Sequence, residues 1–209
     1  MLGHVLEALT GTGLATAAGL NAYIPLLIIG LLSRYTDLIT LPGTWAWLDN
    51  GWVLSILFVL LAIEFVADKI PAVDTVNDVV QTFIRPTAGG MAFAAGSGSE
   101  TITVENPADL FTQKLWIPIA IGVIISLTVH GAKATARPVM NVATVGVAAP
   151  VVSTAEDATS TGLSLIAIIV PILIIVCLIV MIWLFFRWRK RRRQRRLDRT
   201  NTIALPPLR

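Results

Sequence analysis

Six ionisable residues, Glu64, Asp68, Lys69, Asp74, Asp78 and Arg85, fall within residues 63–86 of a chain that is 55% apolar and 14% charged. Glu64 and Asp68 are four apart, which places them on one helix face about 5.4 Å apart along the axis. Asp74, Asp78, Gln81 and Arg85 step by 4, 3 and 4, a second polar stripe at helical period. Two such stripes suit the lining of an aqueous passage. An unpaired charge at the centre of a bilayer costs at least ~2.5–3.5 kcal/mol. These groups must therefore pair, reach the interface or line water. Pairing within the stretch leaves two acids over, and Lys133 and Arg137 would neutralise them. For Asp74 and Asp78 a solvated connector between helices is the simpler account. Glu64, which lies deeper in an apolar run, is the best single candidate for a working group. A carboxyl in a low-dielectric site can take up a proton or bind a cation.

The elements that hold these residues read as membrane helices. The mean hydropathy is +0.76, a value soluble domains rarely reach. Crossing the hydrocarbon core takes roughly 20 apolar residues. Six spans are expected, at about 9–33, 52–70, 82–99, 115–132, 138–155 and 163–186, within one all-α transmembrane domain over residues 1–190. The segments 70–82 and 133–150 can be read as spanning or re-entrant. Residues 187–209 carry nine of their ten Lys/Arg before position 200 and only Asp198 as an acid, whereas residues 97–113 are acidic with no Lys or Arg. Positive charge stays on the cytoplasmic side, so both termini are expected inside. The basic tail would anchor the topology and bind anionic membrane lipid. The high pI belongs to that tail, so no nucleic-acid partner is expected.

Two hairpins share a pattern. Trp52 and Lys69 are 17 apart, as are Trp116 and Lys133, and an Arg-Pro pair follows each, Arg85-Pro86 and Arg137-Pro138. Internal repeats are common in transporters, with sites near the repeat interface. Asn21 and Pro25 interrupt the first span, and Pro171 the last. Each proline frees the carbonyl four residues back, that of Asn21 or of Ala167. Freed carbonyls at membrane depth are tolerated where they are buried or face water, which makes Asn21 a candidate ligand. His4 and His130 have no second ligand at metal spacing, and Cys177 is the only cysteine. No metal site, no cofactor and no nucleophile–base motif is expected, hence no enzyme.

The segments "GLNAYIPLL", "EFVADKIPAVDTVND", "RPTAGG", "HGAKATARP" and "EDATS" resemble an uncharacterised family of bacterial integral membrane proteins, known as a domain of unknown function. The resemblance covers roughly residues 10–190. It implies a multi-pass inner-membrane protein and no established activity. Residues Glu64 to Lys69 are also similar to the Glu-x-Gly-Asp-Lys signature of cation/proton exchangers, with one extra residue and with Ala67 in place of Gly. The equivalent second motif is replaced by "VHGAK".

The expected function is transport of a small ion or polar solute. Glu64, Asp68, Asp74, Asp78 and Asn21 would form the ion-binding set. Lys69, Arg85, Lys133 and Arg137 would be counter-charges or anion-binding groups. A carrier of lipid-linked phosphate and a non-transporting scaffold are the alternatives, and a homo-oligomer is compatible with each.

Overall fold

The computed structural model describes residues 2–98, 116–144, 147, 149–184, 186–187 and 190. Every regular element among the described residues is helical: α1 Leu2–Leu20, α2 Tyr23–Tyr35, a 3-10 helix Gly43–Asp49, α3 Gly51–Ala67, α4 Pro71–Gly96, α5 Trp116–Thr144 and α6 Ala149–Ile169. A short apolar helix, α7, covers Leu173–Leu184. The chain divides at Ile174 into two compact units. The first is a bundle of α1 to α6. In the second, the Arg187 guanidinium lies 4.8 Å from the centre of the Trp183 ring.

Local chemistry sets the helix ends. Asn50 caps α3, its side chain accepting from Trp52 N at 2.9 Å. Pro71 opens α4, a position where its missing N–H removes nothing the helix would use. Beyond the end of α4, Gly98 takes φ +61, the left-handed conformation glycine adopts without a Cβ clash. Between α1 and α2 the chain breaks for two residues. Asn21 Oδ1 accepts from the backbone N–H of Tyr23 at 3.0 Å and of Ile24 at 3.2 Å, so it caps α2. Pro25 then falls in the first turn of α2, where no intrahelical donor is required.

The core is built around α1, which packs against α4, α5 and α6, while α4 and α5 form the most extensive helix pair. Their closest approach is at Gly89 and Gly122. A Cβ on Gly122 would collide with the Gly89 carbonyl, and one on Gly89 would collide with Ser126. Small residues let two helix backbones meet at this distance.

The helices fall differently from the expected spans. The first span, 9–33, is two helices joined at Asn21. The third, 82–99, is the second half of α4, which begins at Pro71 and runs unbroken through Arg85-Pro86. The fifth, 138–155, does not exist as a helix of its own: its first part is the end of α5 and its last part the start of α6. Both Arg-Pro pairs therefore sit inside helices and do not open them. The sixth is interrupted at Val170–Ile172. Among the described residues Trp116–Arg137 is long and apolar enough to cross a membrane. The bent pair Gly43–Asp49 and Gly51–Ala67, at 62°, passes the same measure together. The acidic loop 97–113 lies mostly, and the tail 187–209 almost wholly, outside the described residues.

Candidate functional site: a buried charge network

Where α3 ends, α4, α5 and α6 converge on it with charged side chains that solvent barely reaches. Arg85 is 0% exposed, Glu64, Asp68 and His130 are 2%, and Arg137 and Lys133 are 4% and 6%. Arg85 Nη2 donates to Glu64 Oε1 at 2.8 Å. The same guanidinium lies 3.9 Å from Asp68 and 4.0 Å from Asp78. Asp68 is the hub. Its Oδ2 is 3.1 Å from Arg137 and 3.6 Å from Lys133, and its Oδ1 accepts from Asn77 at 2.8 Å. Glu156 on α6 takes a second contact from both bases, 3.0 Å from Lys133 Nζ and close against Arg137.

His130 extends the network in a fixed direction. Its Nδ1 lies 3.1 Å from Arg85 Nη1, and its Nε2 lies 3.1 Å from Thr82 Oγ1. Arg85 can only donate, so Nδ1 accepts and the ring proton sits on Nε2. Thr82 Oγ1 accepts that proton and passes its own to the carbonyl of Asp78 at 2.8 Å. The chain of donors runs from guanidinium to imidazole to hydroxyl to backbone without conflict.

The helix break is wired to the same cluster. Lys133 Nζ donates to the carbonyl of Leu20, the last residue of α1, at 3.0 Å. Asn21 Nδ2 donates to Asp157 Oδ1 at 3.0 Å. A cation thus meets the negative end of α1, and a capping amide bridges the positive end of α2 to a carboxylate. Nearby, Ser126 Oγ donates to Arg85 O at 2.7 Å and Ser160 Oγ to Ala17 O at 3.0 Å.

Several buried polar atoms in this region have no hydrogen-bond partner among the described residues: Glu64 Oε2, Asp78 Oδ1, Gln81 Oε1, Arg85 Nε and Asp157 Oδ2. Leaving such groups unsatisfied is costly.

The structure gathers Glu64, Asp68, Asp78, Arg85, Lys133 and Arg137 into one network and brings Asn21 to its edge. One residue expected in the set makes its hydrogen bond elsewhere. Lys69 turns back on its own helix, with Nζ 3.1 Å from Phe65 O and 2.9 Å from the Phe65 ring centre, so it satisfies a carbonyl at the end of α3. The side chain of Asp74 lies outside the described residues. Glu156, Asp157, His130 and Asn77 belong to the network or its edge and were not expected as site residues. Glu156-Asp157 is an adjacent acid pair in a segment otherwise free of charge from 138 to 186, and that was the available signal. Among the described residues no group of three His, Cys, Asp or Glu side chains is placed to hold a metal ion.

No curated protein and no solved structure matches the chain. A family model described as a domain of unknown function, DUF4126, matches residues 8–191. With the match covering nearly all of the helical bundle, the chain belongs to the DUF4126 family.

Proposed function

We propose that this chain is a multi-pass protein of the cytoplasmic membrane that moves a proton or a small cation through the buried charge network, with both termini in the cytoplasm. The membrane part of this reading is supported by an inverted distribution of polarity. On α3, Glu64 is buried while its neighbours Ile63 and Val66 are 60% and 59% exposed. On α4, Gln81 and Arg85 are buried while Val79 and Phe83 are 64% and 76% exposed. Soluble proteins rarely expose large contiguous apolar surface or fully bury unpaired charge. Lipid as the surrounding solvent accounts for both.

The transport part rests on a single observation, the excess of carboxylates. Among the described residues Glu64, Asp68, Asp78, Glu156 and Asp157 converge with Arg85, Lys133 and Arg137, and Lys69 acts electrostatically on Asp157. Two of the acids, Glu64 and Asp157, keep an oxygen with no hydrogen-bond partner among the described residues. Five acids and four bases leave one negative charge if all are ionised. Burying it without compensation costs several kcal/mol, and a proton or monovalent cation supplies the compensation. The broken α1–α2 helix at the network's edge fits a site that must open and close, as discontinuous helices do in transporters.

The test is flux in proteoliposomes. The wild-type protein should carry protons or a monovalent cation in a pH-dependent way. Glu64→Gln keeps shape and hydrogen bonding and removes titration, so it should assemble normally and lose that pH dependence. Carriage of a lipid-linked phosphate in place of an ion would require Arg85 and Arg137 to leave the carboxylates they now face. A wild-type protein that moves neither is a scaffold, and the reading fails.

A further inference from the structure

Lys133 occupies an unusual position for a lysine. Its ammonium group has left solvent and sits among three oxygens from three different helices: the Leu20 carbonyl of α1 at 3.0 Å, Glu156 Oε2 of α6 at 3.0 Å and Asp68 Oδ2 of α3 at 3.6 Å. The side chain is 2% exposed. One of the three oxygens belongs to the carbonyl end of a helix that stops there, where the helix dipole adds negative potential. These are the ligands a monovalent cation takes in proteins, a broken-helix carbonyl plus carboxylates. An ammonium ion already fills them, tethered by four methylenes to α5.

We propose that Leu20 O, Asp68 and Glu156 form a monovalent-cation site at the break in the first membrane helix, and that Lys133 is its built-in occupant, which a mobile cation displaces. This rests on the transport reading and assigns it a site and a competitor. Arg137 touches the same two carboxylate oxygens, at 3.1 Å on Asp68 and in close contact on Glu156. Arg137 therefore holds the two acids together when Lys133 leaves, and the cage keeps its shape around an exchangeable ion. Displacement of Lys133 frees the α1 carbonyl end from its tether to α5 while the ion keeps it ligated, and so couples occupancy to the helix break. No bond is made or broken, and the only exchange is one monovalent cation for another.

The test uses the full-length protein in detergent. Lys133→Ala empties the cage, and ammonium, methylammonium or potassium chloride should then raise its unfolding temperature saturably over choline chloride at equal ionic strength. At a hundredfold excess over the dissociation constant the rise should be about 5–10 °C. Adding Glu156→Gln should abolish it. A Lys133→Ala protein that responds to these salts no differently from choline overturns the proposal and leaves Lys133 a structural cap. Where Lys133→Ala does not fold, the wild-type protein decides: acetylation of Lys133 by an amine-reactive reagent, read by mass spectrometry against Lys69, should rise with potassium or ammonium but not with choline. Unchanged labelling overturns it equally. A cation-dependent variant in vesicles that carry no flux would remove the transport reading and keep the site. Flux without any cation response would do the reverse.

Discussion

Arg85 and Glu64 meet at 2.8 Å with neither more than 2% exposed, and each retains a buried polar atom, Nε and Oε2, that pairs with nothing. Such a pair contributes little net stability, but removing one partner leaves a bare charge in a dry interior. Arg85→Met should lower stability by about 3–5 kcal/mol, and Arg85→Met with Glu64→Gln should recover a clear part of it. Thermal unfolding in detergent reads both. An Arg85→Met loss that the second change fails to reduce would show that the two groups are not coupled.

Asp68 should be the most expensive acid to neutralise. It faces Arg137, Lys133 and Arg85 and accepts from Asn77, whereas Asp78 has Arg85 at 4.0 Å, with Lys133 acting from further away, and is partly open, with 16% of its side chain exposed. Asp68→Asn leaves three cations short of a partner and should cost about 3–5 kcal/mol. Asp78→Asn should cost under about 1 kcal/mol. Equal losses for the two variants would mean that the ion pairs do not set stability here.

The helix break at Asn21 and the gathering of Glu64, Arg85, Lys133 and Arg137 were legible because proline chemistry and the cost of buried charge act locally on the residues themselves. Helix boundaries were not. The residue before proline is biased away from helical geometry, so Arg137-Pro138 read as the start of a span, whereas α5 runs through it to Thr144. That reading closed a span at Ala155, one residue before Glu156, and hid the two acids of α6 that complete the network. His130 was weighed as a metal ligand and set aside for want of a second ligand. Its actual partners, Arg85 and Thr82, lie more than forty positions away in the chain, and only the α4–α5 crossing brings them together. Lys69 gives its hydrogen bond to a carbonyl one turn back on its own helix, a local contact that a reading of charge alone does not anticipate.

The topology is open to direct measurement. With Cys177 replaced by Ser, single cysteines at Ser99 and at Thr200 should differ towards an impermeant thiol reagent added to intact cells. The basic tail motivates a protected Thr200→Cys, and the acidic 97–113 segment a labelled Ser99→Cys. The opposite pattern would place the charge network at the other side of the membrane.

Thr10 and Pro171 form a pair that can be tested as a cycle. Pro171 has no N–H to give the carbonyl of Ala167, and Thr10 Oγ1 donates to that carbonyl at 2.9 Å from across the α1–α6 contact. Thr10→Val should therefore cost about 1–3 kcal/mol by leaving a buried acceptor unmet. Pro171→Ala restores an intrahelical donor to Ala167, so in that background Thr10→Val should cost clearly less. Additive effects would mean that the threonine bonds to Ala167 without satisfying it.

The last prediction concerns the proton on His130. Arg85 Nη1 faces Nδ1 and Thr82 Oγ1 faces Nε2, and an arginine has no lone pair to accept with. The ring must therefore hold its single proton on Nε2, because a proton on Nδ1 would set two donors against each other beside a full positive charge. Nitrogen NMR of selectively labelled histidine should show one residue with an acceptor-type Nδ1 and a protonated Nε2, with no exchange between tautomers. His4, exposed beside Glu7, gives the mobile comparison in the same spectrum. Arg85→Gln should release the lock and allow both tautomers, since an amide can donate or accept. Thr82→Val should keep the tautomer while removing the acceptor of its proton. A His130 signal protonated at Nδ1 in the wild-type protein would mean that Arg85 points elsewhere, and with it the Glu64 pairing on which the transport reading depends.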